Sequence, residues 1–477
     1  MTESGKTGFL ERTLNNLRTV WQGIAGAEYD ESAASLQPDL PDDDAARLRE
    51  QMRACLETRG GEVSARARAA ALGRAYLALN ETGRLRFLGV MARDFDVDRA
   101  GVDVAVGKLQ GADDAASRYA AEAMLRHYLE APRVKLLTQF NALPEGIKFL
   151  VDMRADLLGP ARSDPALKAL EQDLKSLLAT WFDVDFLELR RISWDESSAS
   201  VLEKLIAYEA VHAIESWDDL KKRLDSDRRC FAYFHPRMPD EPLIFVEVAL
   251  VDGLADSIQD LLDENAPVID PEKADTAIFY SISNAQKGLA GISFGNFLIK
   301  RVANRLSTEF GGLKTFATLS PVPGFRAWLA DNLGKADGTL LTPGDAKALS
   351  AVAGTSRDAE KTLMTLLDDP HWPHSETLSE ALRAPLLRLC ARYLMVEKRR
   401  PGELTALDPV AHFHLSNGAR MERLNWQGDT SEKGIRQSAG VMINYRYKLD
   451  EVEDNHETYT SSGKVAASSG VRGLLKG

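Results

Sequence analysis

One stretch, Ala277–Phe325, constrains this chain more than any other: AIFYSISNAQKGLAGISFGNFLIKRVANRLSTEFGGLKTFATLSPVPGF. Ala277–Ser283 is a short run of apolar, β-branched and aromatic residues, the composition of a buried strand. Gln286–Gly291 (QKGLAG) is a turn with two glycines. Ile292, Gly295, Ile299, Val302 and Leu306 recur at helical spacing, so a helix is predicted from Ile292 to the Gly311–Gly312 pair. Lys314–Ser320 (KTFATLS) reads as a second strand, stopped by Pro321. Strand, turn, helix, strand is a βαβ unit, which implies a parallel pair and a right-handed crossover.

A glycine turn of this kind presents backbone N–H groups at the positive end of a helix dipole, where a phosphate or diphosphate is stabilised. The spacing is neither G-x-x-x-x-G-K-[ST] nor G-x-G-x-x-G, which argues against a nucleoside-triphosphate loop and a dinucleotide fold. Tight packing with no ligand would need the same glycines, so both readings stand at this point.

The 477 residues suffice for two or three domains, and 44% hydrophobic with 27% charged residues describe a globular chain. A net charge of −12 argues against nucleic acid or an anionic lipid surface as partner. Cys55, Cys230 and Cys390 lie far apart, so neither a zinc ribbon nor a disulfide framework is indicated. No secretory leader is legible in MTESGKTGFLERTLNNLRTVW, no apolar run is long enough to span a bilayer, and the ending LLKG is not a Ser-Lys-Leu address. A cytoplasmic protein is expected.

Residues 1–185 are expected to form an all-helical region. Leu85, Leu88, Ala92 and Phe95 illustrate its periodicity, and Asn80 and Asp113 stand where N-caps belong. His127 stands alone there, a packing or surface residue. Period-two character begins near Phe186. Strands are predicted at Phe186–Trp194, Cys230–His235 and Pro242–Val251, with helices at Ser197–Tyr208, Trp217–Leu224 and Asp256–Glu264 before the central unit. Residues of about 340–400 read as a helical insertion. Its HWPH (His371, His374) has metal-like spacing, but the proline breaks helical geometry and no third ligand is near. Strands return at His412–Leu415, Met421–Trp426 and Val441–Leu449, and Glu451–Gly477 reads as a loosely held tail.

Gln-x-Gly-x-x-Gly resembles the diphosphate loop of the GNAT acyltransferase fold, which cradles coenzyme A. FYSIS, GLAG, FLIKRV, LSPVPGF, DPVAHFHLSNGA (Asp408–Ala419), RLNW (Arg423–Trp426) and NYRY (Asn444–Tyr447), in this order, resemble the malonyl-CoA decarboxylase family. The resemblance covers about 231–450. It implies an α+β fold: an N-terminal helical bundle, then a GNAT-like mixed-sheet catalytic domain over 186–477 carrying the helical insertion. It also implies malonyl-CoA as substrate, no cofactor beyond the coenzyme A of the substrate, no metal, and a homodimer or homotetramer assembled through the helical region.

Loss of CO2 from malonyl-CoA leaves an enolate conjugated to a thioester, so the substrate is its own electron sink. The protein must hold the carboxylate out of the thioester plane, stabilise the oxyanion and supply a proton. Taken without the resemblance, His414 is a proton donor, a core histidine on a strand, or half of an H-x-H metal pair with His412. The resemblance makes it the proton donor. Ser320 is likewise a turn cap by itself, and by resemblance the anchor of the substrate carboxylate and partner of His414; no G-x-S-x-G elbow marks it as a nucleophile. Ser281 and Ser283 are expected near the thioester or carboxylate, Asn417 beside His414 or in a plain turn, and Tyr447 at the pocket or in the core. The diphosphate is expected against Gln286, Gly288, Ala290, Gly291 and Ile292, and on into Ser293, Phe294, Gly295 and Asn296. Some relatives carry a glutamate at Ser293, so a carboxylate role there is absent from this chain. The competing readings are an acyltransferase using a base such as Glu247, and a non-catalytic coenzyme A sensor.

Overall fold

The structure is a computed structural model and describes residues 19–21, 24, 36–57, 61–182, 186–292, 298–333, 340–354 and 358–476. Its first part is helical: α1 Asp42–Leu56, α2 Gly61–Ala78, α3 Glu81–Asp94, α4 Arg99–Gln110, α5 Ala115–Leu129, α6 Pro132–Asn141, α7 Gly146–Leu157 and α8 Pro165–Trp181. Side chains start these helices as expected of Asn and Asp. Asn80 accepts from Gly83 N at the head of α3, and Asp114 rather than Asp113 caps α5. On α8 the leucines 167, 170, 174 and 178 are all buried, a stripe at helical spacing that closes the bundle. His127 is exposed beside Tyr128.

The second part is a mixed sheet of eight strands flanked by helices. In chain order it runs β1 Glu188–Ile192, α9 Ala199–Tyr208, α10 Trp217–Arg223, β2 Arg228–His235, β3 Met238–Val251, α11 Ile258–Leu261, β4 Thr276–Asn284, α12 Leu298–Glu309, β5 Thr315–Thr318, β6 Ser320–Pro321 and α13 Phe325–Leu333. Three more helices come next, α14 Pro343–Ala353, α15 Ala359–Asp368 and α16 Glu376–Met395. The chain closes with α17 Pro409–Ser416, β7 Arg420–Asn425, α18 Glu432–Ser438, β8 Met442–Arg446, α19 Val452–Ser462 and α20 Ser469–Leu474. The sheet order is β1-β2-β3-β4-β5-β8-β6, with β7 on β8. β1 to β4 are antiparallel neighbours and β4/β5 is a parallel pair.

Two features of β4 open the sheet. Glu247 of β3 pairs with Ser281 while Val248 pairs with Phe279, so Tyr280 is an extra residue, a bulge. And β5 runs beside β4 only from Thr276/Thr315 to Phe279/Thr318. Beyond that point β4 continues to Asn284 while the other chain leaves through Leu319 into β6, which pairs with β8 instead.

Four expectations are corrected. The helix after the glycine turn begins at Leu298, not Ile292; Ile292 lies outside any helix, and Ser293, Phe294, Gly295 and Asn296 lie outside the described residues. Lys314–Ser320 is not one strand, because Leu319 interrupts it. His412–Leu415 is not a strand but part of α17, since Asp408 accepts from Ala411 N at 2.8 Å as N-cap and Pro409 sits at the first helical position. The tail is not loose: Val452, Tyr459 and Val471 are buried, and Met421 N–H donates to the Ala466 carbonyl at 2.9 Å.

Candidate active site

The site is built where β4 and β5 part. A cavity of about 260 Å3 opens there between Phe279, Tyr280, Ile282 and Asn284 of β4, Leu298 and Ile299 of α12, Ser320, and His414 with Pro409, Val410 and Phe413 of α17. Most of this lining is apolar. Val211, in the loop after α9, forms a further wall.

His414 and Ser320 meet in this cavity. Ser320 Oγ lies 3.1 Å from His414 Nε2 and donates to Thr318 Oγ1 at 2.8 Å. Thr318 Oγ1 also accepts the Tyr445 N–H at 3.1 Å. The other ring nitrogen, Nδ1, is 2.8 Å from the Tyr447 hydroxyl. Tyr445 stacks on the imidazole with centroids 4.4 Å apart and planes at 23°. Tyr447, only 2% exposed, has this nitrogen as its hydrogen-bond partner, so its O–H is satisfied by donating to Nδ1. That choice places the ring proton on Nε2, facing Ser320. The bonds then run in one direction, Tyr447 to His414 to Ser320 to Thr318.

His414 is 3% exposed, and burial pulls its pKa from the usual range down to about 3. The imidazole is therefore neutral in the empty site. The unfolded chain takes up this proton near the ordinary histidine value, about 6.5. Stability from the neutral ring is thus complete above that value and is lost as pH falls toward 3. At the head of α17, Asp408 is fully buried; its carboxylate accepts from Ala411 N and from Tyr393 OH at 3.1 Å, which ties α17 to α16. Burial raises its pKa against these bonds.

Other expected site residues do different work. Ser281 and Ser283 turn away from the cavity and donate to Glu209 Oε2 at 2.8 and 3.1 Å. Glu209 Oε1 accepts the Val211 and His212 N–H groups, so this carboxylate pins the Val211 wall to β4. Asn417 donates its side-chain amide to the Phe413 carbonyl at 2.7 Å and its backbone N–H to the His414 carbonyl at 3.1 Å, so it closes α17 and meets His414 through the main chain, not the imidazole. His412 pairs with Tyr459 OH at 3.0 Å, away from His414, because residues two apart on a helix point to different sides. No group of three His, Cys, Asp or Glu side chains among the described residues is arranged to hold a metal ion. Glu247 is not on the cavity wall; it is 1% exposed and meets Arg223 at 3.3 Å, and burial raises its pKa to about 8.

The glycine turn is a 3-10 turn, Lys287–Leu289. The N–H groups of Leu289, Ala290 and Ile292 bond inward to the carbonyls of Gln286, Lys287 and Leu289. Gln286 donates to the Pro242 carbonyl at 3.1 Å. Gly291, exposed and at φ 71°, has no hydrogen-bond partner for its N–H among the described residues, and the same holds for Lys287 and Gly288 of this turn. Thr318, Tyr445, Asp408 and Glu209 were not legible as site residues. The Asp-Pro pair before HFH was a helix-start signal that would have moved His414 from a strand to a helix.

A neutral histidine–serine pair at the split of a mixed sheet, with α17 across it, defines the class: an α+β protein with a mainly apolar pocket in which these two side chains meet. The C-terminal domain model of malonyl-CoA decarboxylase matches residues 185–477 and the N-terminal domain model 95–182. The mitochondrial malonyl-CoA decarboxylase of Anser anser anser is 40% identical over 406 residues, 81% of this chain and 79% of that protein. That of Mus musculus is 41% identical over 408 residues, 82% of each. The crystal structure of malonyl-CoA decarboxylase from Rhodopseudomonas palustris superposes with a TM-score of 0.81 at 41% identity, covering 90% of this chain and 99% of that one. The Agrobacterium vitis enzyme gives 0.80 at 41%, with the same coverage. The chain belongs to the malonyl-CoA decarboxylase family.

The tautomer is open to direct test. In 15N spectra of the imidazoles, His414 is expected to stay neutral with Nε2 protonated from pH 5 to 8. Tyr447→Phe should move the proton or mix the two forms. A His414 signal that titrates near 6.5 in the wild type would contradict the buried neutral ring.

Proposed function

We propose that this chain decarboxylates malonyl-CoA to acetyl-CoA and CO2, with Ser320 anchoring the carboxylate and His414 protonating the enolate. The observation that carries it is the 3.1 Å contact of Ser320 Oγ with His414 Nε2 inside an apolar cavity. An apolar cavity favours loss of charge: it destabilises the carboxylate relative to neutral CO2, and it strengthens each fixed dipole facing the thioester oxygen.

The incoming carboxylate brings a negative charge beside His414, which favours a second proton on the ring, taken from solvent on binding. Ser320 Oγ–H turns from Thr318 to a carboxylate oxygen and holds that group off the thioester plane. The C–C bond breaks, its electron pair passes into the thioester as an enolate, and CO2 leaves. His414 Nε2 gives its proton to the α-carbon, leaving a neutral ring with its remaining proton on Nδ1, where the Tyr447 hydroxyl turns to accept it; a proton regained at Nε2 and lost from Nδ1 restores the resting tautomer. One proton is consumed in total, and no covalent bond to the enzyme forms. The acyltransferase alternative is disfavoured by the salt bridge that occupies Glu247.

Two further parts of the reading concern assembly and location. A homodimer or homotetramer through the helical region is supported by α4 and α5, which leave Val104 56%, Tyr119 70% and Leu129 52% exposed. A cytoplasmic, reducing location is supported by the free, buried thiols of Cys55, Cys230 and Cys390. None of the described helices is long and apolar enough to cross a membrane. A monomer by light scattering contradicts the first, and recovery in mitochondria, the location in the goose and mouse names, contradicts the second.

Labelled CO2 should be released from malonyl-CoA with no acyl acceptor present. His414→Asn is expected to lower kcat by roughly 10²–10⁴ with a smaller change in KM. Ser320→Ala should also lose rate and should weaken malonyl-CoA binding while sparing acetyl-CoA, which has no carboxylate. Strict dependence on an amine or thiol acceptor, or an acyl-serine trapped at Ser320, would overturn the mechanism.

A further inference from the structure

The helical region holds the glycine turn from beneath. Arg154 of α7, 2% exposed, donates from Nε and Nη2 to Glu171 Oε1 at 2.9 and 2.7 Å, and from Nη1 to the Gly288 carbonyl at 2.5 Å. Gly288 itself sits so near α7 that an added Cβ would fall 1.8 Å from the Val151 carbonyl oxygen. The glycine is therefore required for docking onto the helix, not for ligand access.

Gly291 has a different neighbour. A Cβ added there would sit 3.5 Å from Nζ of Lys175, which projects from α8. Lys175 is half-buried and makes no ion pair among the described residues, whereas Arg133, Lys148 and Arg154 of the same helical region are all paired with carboxylates. Among the described residues, an ammonium without a counter-ion therefore stands beside a turn residue whose N–H has no partner. An ammonium and an unpaired N–H, one from each part of the chain, are the two kinds of donor that an anion takes.

We propose that Lys175 binds the diphosphate of the substrate and that Arg154 positions the turn to share it, so that the helical region forms one wall of the coenzyme A site. This rests on the reading that the substrate is a coenzyme A thioester whose diphosphate meets this turn. Lys175 touches the ligand. Arg154 acts only through the Gly288 carbonyl and is a positioning residue. The helical region then has a direct part in binding, beyond packing and assembly.

Malonyl-pantetheine carries the same reacting group and arm without the diphosphate, and it separates the cases. Lys175→Met should raise KM for malonyl-CoA about tenfold or more with kcat nearly unchanged, and leave kcat/KM for malonyl-pantetheine as in wild type. Added salt should narrow the gap between variant and wild type on malonyl-CoA. Arg154→Lys keeps a charge for Glu171 but loses the planar fork, and should show the same substrate-selective rise in KM. Equal losses on both thioesters for Arg154→Lys would mark it as structural and overturn its positioning role. A Lys175→Met enzyme that keeps the full wild-type preference for malonyl-CoA over malonyl-pantetheine would overturn the assignment of Lys175. A wild-type enzyme with no such preference would instead sink the underlying reading of the turn.

Discussion

Past Phe279 and Leu319, whose N–H still donates to the Phe279 carbonyl at 3.0 Å, β4 and the segment that continues β5 stop exchanging hydrogen bonds, and the whole site depends on what fills that gap. Two strands that part inside a protein leave backbone groups needing partners. The gap is held open by side chains. Asn444, fully buried on β8, donates to the Thr318 carbonyl at 2.8 Å and the Ala255 carbonyl at 3.0 Å, and its own oxygen accepts from Arg423 and Asn425. The Tyr280 bulge lets β4 bend at the same level. The result is a cavity with Ser320 at one strand end and α17 laid across it.

The second constraint is polarity inside that cavity. A histidine sealed from water and facing no carboxylate is a poor acid or base until something charged arrives. The Tyr447 hydroxyl fixes which nitrogen carries the proton, and stacking on Tyr445 fixes the plane. The substrate carboxylate supplies the missing charge, so ring protonation is coupled to binding. Once CO2 has gone, the charge that favoured the imidazolium is on the enolate, and passing the proton to carbon returns the ring to neutrality; exchange of the remaining proton from Nδ1 to Nε2 completes the cycle. Hydrophobic burial thus sets the timing of the proton as well as the shape of the site.

Much of this was legible in the sequence. The switch from period 3.6 to period 2 near Phe186 foretold a helical region followed by a sheet, and the strand–turn–helix–strand order foretold the parallel pair. The Ser320–His414 pairing came from motif resemblance, and the structure brings those side chains together. What failed has physical causes. Short helices carry no periodicity: α17 has eight residues, and its Asp-Pro start outweighs the alternating look of HFHL. Ser281 and Ser283 were placed by strand position, but the bulge at Tyr280 resets which residues face the cavity. Gly288 looked like a phosphate glycine, yet its constraint is a helix carbonyl that no local pattern reveals. The tail is charged and rich in small residues, which suggests a loose segment, yet Tyr459 is buried and its hydroxyl accepts from the Ala406 N–H far away in sequence, and Val471 is buried too.

A fixed residue buried in the cavity wall, and not bulk water, protonates the enolate in this mechanism. Chiral malonyl-CoA, isotopically labelled at the α-carbon and its carboxylate and turned over in isotopic water, reports this directly through the configuration of the acetyl methyl group. A single configuration is the result the His414 geometry predicts. A racemic methyl group would mean that the enolate meets solvent before His414, and would contradict it.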